Sequence, residues 1–216
     1  MNFRIKLING LSHPNIYSYQ IRETEVIRGL WKRVIFFILF SGLVFGISAY
    51  FGIGSEYLSK KLISVPQDEF EMHKALFVIG QILFGIFYAA IILFIPAFFF
   101  WMLIDVEFNK LIVAQLLVLV ILLIEKIVLM PFILIFGLAT NSSPFSFGVI
   151  IQYFTGNEFI MNFLATITLF KIWALFIEFK YLKVLTKKSS MNVLAMVIGI
   201  NVIMWLCSTF LHLLSI

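Results

Sequence analysis

The chain has 216 residues, of which 62% are hydrophobic and 12% charged, and its mean hydropathy is +1.07. A soluble domain carries about 25% charged residues, so this composition excludes a single water-soluble core and requires apolar surface that faces lipid. The net charge of +5 does not call for nucleic acid, because the positive residues flank hydrophobic runs, where they set topology.

Residues 1–33 read as a cytoplasmic N-terminal segment, distinct from a membrane domain over 34–216. Ser12-His13-Pro14-Asn15 is a turn signal, since proline restricts its predecessor and lacks an amide donor. Beyond it, the spacing of Ile16, Tyr19, Ile27, Leu30 and Trp31 leaves two readings open. One is a short amphipathic helix from Ile16 to Trp31 lying at the lipid headgroups; the other is a partly ordered tail. No cleavable signal peptide is expected, because the first apolar run starts near Arg33 and is long enough to span.

A bilayer core about 30 Å thick takes about 20 apolar residues per helical span. Such runs occur at Val34 to Phe51, Ala75 to Leu103, Leu111 to Leu138, Phe159 to Phe179 and Val193 to Leu214. The fold expected is therefore all-α and integral to the membrane, a bundle of five transmembrane helices. In the first run Gly42 and Gly46 stand four apart, a pattern that lets helix backbones approach closely, here within the bundle rather than between copies. A homo-oligomer stays open. In the second, Pro96 predicts a kink, and Gly80, Gln81 and Gly85 mark a packing face. Residues 147–154 are apolar but too short to span, so they are interfacial or re-entrant. Cys207 lies inside an apolar run and reads as a small packing residue; a lone cysteine supports no disulfide framework within the chain.

Orientation follows from Lys and Arg. With the N-terminus inside, eleven fall on the cytoplasmic side (Arg4, Lys6, Arg22, Arg28, Lys32, Arg33, Lys110, Lys180, Lys183, Lys187 and Lys188) against three outside. That bias places the N-terminus in and the C-terminus out.

Glu125 and Lys126 in the third span and Lys171 in the fourth are intramembrane charges, each costing about 2.5–3.5 kcal/mol near the bilayer centre. Glu125 and Lys171 are expected to pair across helices three and four, and with Lys126 they form the candidate intramembrane polar contact. The same residues could line an ion or proton path, but no relay of further acids accompanies them, which favours a contact that sets helix register. Glu178 is expected to snorkel toward the headgroups. His13, His73 and His212 stand on separate segments, and no hydrolase, nucleotide-binding or zinc motif occurs. Neither an enzyme nor a cofactor is expected.

The stretch Phe163-Leu164-Ala165-Thr166-Ile167-Thr168-Leu169-Phe170-Lys171-Ile172-Trp173-Ala174-Leu175, followed by a lysine-rich connection and a last hydrophobic helix, resembles the Yip domain family. These are membrane proteins named for interaction with Ypt/Rab GTPases, with bacterial members of the YknW type. Leu169, Phe170, Ile172 and Trp173 match the family's D-L-F-x-I-W segment. Thr168 stands where that pattern often has Asp, and Lys171 where a small polar residue is common; the eukaryotic D-L-Y-G-P segment is absent. The resemblance implies a non-enzymatic membrane protein that assists assembly or regulation of a membrane complex, an ABC-type exporter in a bacterial cytoplasmic membrane being the implied partner. The four matching residues are then expected to pack helices. The alternative is a small transport or channel subunit with a polar path through Glu125, Lys126 and Lys171.

Overall fold

The computed structural model describes residues 2–4, 6–55, 67–137 and 143–214. The polar connection after the first span and the Thr140-Asn141-Ser142 turn fall largely outside these residues. Among the described residues the chain is helical apart from one short strand pair. Helices α1 (Leu7–Ser12) and α2 (Pro14–Arg22) open it, then α3 (Leu30–Tyr50), α4 (Gln67–Leu103), α5 (Phe108–Phe136), α6 (Gly148–Ile151), α7 (Glu158–Thr166), α8 (Leu169–Leu185) and α9 (Ser190–Leu214). Strands β1 (Asn2–Arg4) and β2 (Val26–Arg28) pair in parallel. Four helices are long and apolar enough to cross a membrane: Leu30–Tyr50, Glu69–Leu103, Phe108–Phe136 and Ser190–Leu211.

The N-terminal segment differs from both expectations. No helix runs from Ile16 to Trp31: α2 stops at Arg22, β2 turns back to β1, and Gly29 takes φ +72° before α3 begins. That left-handed conformation is open to glycine and ends any continuous helix there. The segment is also docked. Tyr17 and Ile21 are buried against α8, and the Tyr181 hydroxyl donates to the Gly10 carbonyl at 2.9 Å. Arg22 Nη1 donates to the Val184 carbonyl at 3.4 Å, and Lys110 Nζ to the Arg22 carbonyl at 3.1 Å. Tyr17 and Tyr181 meet edge to face, and burial pushes the Tyr17 phenol above its ordinary range, so it stays neutral.

Helix α5 is the centre of the bundle. Every residue from Leu111 to Leu119 is buried, wrapped by α3, α4 and α8. Its C-terminal end is closed by Gly137 at φ +60°, a left-handed cap that glycine adopts without a Cβ penalty. Pro96 and Pro131 lie inside α4 and α5.

Helices α3 and α4 meet through small residues. Gly42 and Gly46 face Ile86 and Ile82, Ser41 Oγ donates to the Gly85 carbonyl at 2.8 Å, and Gly85 lies against Phe45. Lipid tails are as apolar as the side chains, so this contact rests on close van der Waals fit and on the hydroxyl bond rather than on exclusion of water. Cys207, expected to pack inside, is exposed on α9.

The expected fourth span, Phe159 to Phe179, is not one helix. It breaks at Ile167 and Thr168 into α7 and α8, and α8 runs on to Leu185. Thr168 is extended, at φ −120° and ψ 163°, and its hydroxyl accepts from the Lys171 amide at 3.2 Å. The backbone freed by the break pairs with residues before α6: Phe147 N donates to Ile167 O and Leu169 N to Phe145 O, both at 3.1 Å.

An alanine at Gly85 would bring its Cβ to 2.8 Å from the Phe45 Cβ and 2.9 Å from the Ser41 carbonyl, whereas nothing lies within 4 Å at Gly80. Gly85→Ala is therefore expected to lower stability by about 1–3 kcal/mol, the usual range for overpacking, and Gly80→Ala to cost nothing. Denaturant unfolding of the purified protein in detergent measures both; equal behaviour would refute the α3–α4 contact.

Candidate functional site

The helix break and the intramembrane charges fall in one place. Antiparallel packing of α5 on α8 sets the middle of α5 against the first turn of α8. Glu125, 7% exposed, accepts a side-chain hydrogen bond from Thr168 and lies within electrostatic reach of Lys171 and Lys126. The Thr168 hydroxyl thus has two roles, capping α8 through the Lys171 amide and answering the carboxylate from α5. A residue that caps its own helix is a common use of threonine; here the same group ties a second helix.

Among the described residues Glu125 and Lys171 close no direct ion pair, although their charges attract. Lys171 Nζ instead donates to the Thr166 carbonyl at 2.6 Å, on the far side of the break. That carbonyl belongs to the last turn of α7, where helix carbonyls lack internal partners and attract cations. Each half of the broken helix therefore receives a charged or hydroxyl partner at its open end.

Lys126 turns the other way. Its ammonium lies 4.6 Å from the centroid of the Phe45 ring on α3, and Tyr88 of α4 packs against the same ring at 5.3 Å between centroids. A desolvated cation over an aromatic face gains about 2 kcal/mol. Glu125 and Lys126, adjacent in sequence, thereby hold α5 to α8 and to α3 respectively.

Of the other residues singled out, Gly42 and Gly46 lie away from this site at the α3–α4 contact. Within the family-like segment only Phe170 packs inward, edge to face on Phe145 at 5.6 Å. Leu169, Ile172 and Trp173 are exposed on the outside of α8, not packed between helices.

Two residues of the site escaped the sequence reading. Thr166 and Thr168 look like ordinary polar residues in an apolar run, and only their spacing of two around Ile167, with β-branched residues at all three positions, hints at a break in helix. Glu178 is a correction. It does not snorkel but is 2% exposed, accepting from Gln115 of α5 and Asn201 of α9. The docked N-terminal segment buries the end of α8 that would otherwise meet headgroups, and so removes the snorkelling route.

Among the described residues no group of three or more His, Cys, Asp or Glu could hold a metal ion. Comparison with protein-family models, with curated proteins and with solved structures finds no match.

Thr168→Val removes the cap and the bond to Glu125 together and is expected to cost about 1–3 kcal/mol, the sum of a lost cap and a lost buried hydrogen bond. Thr168→Ser keeps both and should stay near wild type in the same detergent unfolding assay. A serine variant as damaged as the valine variant would show that the methyl group, not the hydroxyl, matters.

Proposed function

We propose that this chain is a non-enzymatic, five-span protein of the Yip type in a bacterial cytoplasmic membrane, assisting assembly or regulation of a membrane complex such as an ABC-type exporter. The observation that carries this reading is that the intramembrane charges find their partners inside the chain. Glu125 has Thr168, Lys171 has the Thr166 carbonyl, and Lys126 has the Phe45 ring. Charges spent in this way fix helix register and orientation, as a scaffold for partner contacts requires. The outward Leu169, Ile172 and Trp173 leave the family-like segment free to meet a neighbouring helix. On this reading α7 and α8 together make the fifth crossing, in the fourth position along the chain. The eleven-to-three charge bias supports the N-terminus inside and the C-terminus outside.

The helix break supports a second reading, a small transport subunit. Discontinuous helices with charged groups at their open ends are a recurrent way to build a polar site at membrane depth. Glu125, Lys126 and Lys171 would then line the path.

Affinity capture in mild detergent from native membranes separates the two. An accessory protein brings down a membrane partner at fixed stoichiometry and keeps it after Glu125→Gln. A transport subunit is recovered alone, and its reconstituted flux is abolished by the same substitution while the protein still folds. Reporter fusions test the topology: a C-terminal reporter active only outside and an N-terminal reporter active only inside are expected, and both on one side would overturn the five-span arrangement.

A further inference from the structure

A second polar layer lies in the bundle, and the reading above does not use it. Gln115 precedes Glu125 by ten residues on α5, about 15 Å at 1.5 Å per residue, and there it meets Glu178 of α8. Gln115 Nε2 donates to Glu178 Oε1 at 2.5 Å, and Asn201 Nδ2 of α9 donates to Glu178 Oε2 at 2.7 Å and to the Val197 carbonyl at 3.0 Å. Gln115 is 1% exposed, and its Oε1 is buried without a hydrogen-bond partner among the described residues.

Among the described side chains none supplies a countercharge to Glu178. Helix α9 contains no Asp, Glu, Lys or Arg. On α5, Lys110 is bonded to Glu107 and to the Arg22 carbonyl, and Lys126 lies over Phe45, with Glu125 in the other layer. On α8, Lys171 is held by Thr166, and Lys180 and Lys183 lie over Phe176 and Phe179. From the N-terminal segment, Arg22 reaches Val184, and Tyr17 meets Tyr181, whose hydroxyl is given to Gly10. The nearest partners of the carboxylate are two neutral amides.

An ionised carboxylate sealed among apolar side chains is costly unless a cation accompanies it. The orphan amide oxygen is a second cost, because a buried acceptor has lost its water. A cation beside the carboxylate removes the first cost and, once the amide turns, takes up the orphaned oxygen, whose former place the amide nitrogen then fills. A side-chain amide presents oxygen and nitrogen in nearly the same shape, so half-turns of Gln115 and Asn201 bring two carbonyl oxygens beside the carboxylate. The result is an all-oxygen pocket of the type that hard cations take. One carboxylate balances one positive charge, and a divalent ion would leave an excess buried. We propose that Glu178, Gln115 and Asn201 form a site for an exchangeable monovalent cation, a sodium ion or a proton, that joins α5, α8 and α9.

The test uses the full chain in lipid nanodiscs treated with dicyclohexylcarbodiimide, which modifies carboxyl groups only in their protonated form, followed by peptide mass spectrometry to locate the adduct. In sodium-free acidic buffer Glu178 is expected to be labelled. If added sodium chloride abolishes the label while choline chloride at equal ionic strength does not, sodium is the bound ion. If the label is lost on raising the pH and ignores sodium, the proton is. Gln115→Leu, close in volume, should fold and shift that sodium or pH dependence, since it removes the oxygen that completes the pocket. A Glu178 that stays unlabelled throughout, or labels independently of both sodium and pH, overturns the proposal, and so does a Gln115→Leu variant whose dependence matches wild type.

Discussion

Inside a bilayer no water is available to complete a hydrogen bond, so every backbone group and charge at that depth must be answered by the protein itself. The architecture follows from this constraint. Helices α3, α4, α5 and α9 meet it by being continuous. The segment of α7 and α8 is interrupted, and the polar side chains collect at that break. Residues 145–147 accept and donate to 167–169, Lys171 covers a carbonyl at the end of α7, and Thr168 covers an amide at the start of α8. The polar site and the repair of a broken helix are the same set of bonds.

Helix α5 distributes those bonds. It carries Gln115, Glu125 and Lys126, and through them touches α8 and α3, while Asn201 of α9 meets the same Glu178 that Gln115 does. The stretch between the two polar layers is uniformly apolar and buried from Leu116 to Leu119. A purely apolar helix in lipid has little to choose between rotations about its axis, since lipid and protein offer similar surroundings. Two polar layers set about 15 Å apart by helix rise remove that freedom, fixing rotation at one level and tilt at the other.

Much of the bundle could be read from residue order alone. Long apolar runs separated by polar residues give α3, α4, α5 and α9 close to their observed limits, because hydropathy reports compatibility with lipid directly. It does not report continuity, and so the Thr166-Ile167-Thr168 break stayed hidden: the threonines are near neutral in hydropathy and Ile167 is apolar, and their effect depends on Phe145 and Phe147 being at hand to pair. Glu125, Lys126 and Lys171 were visible as isolated charges, yet their partners were not, since a ring, a hydroxyl and a carbonyl carry no charge to match. Glu178 was misplaced for a related reason. Its distance from the end of α8 suggested the headgroups, and only the folded N-terminal segment moves that boundary.

The bond from Tyr181 to Gly10 joins residues 171 apart in the chain. Its consequence lies in the order of synthesis. Helices α1 and α2 leave the ribosome well before α8, on which their docking surface lies. Until α8 is made, α1 and α2 must wait with Tyr17 and Ile21 uncovered. Closure of the N-terminal segment is thus a late event that reports the arrival of the rest of the bundle, and a truncated chain would leave that apolar face open to the cell's quality control.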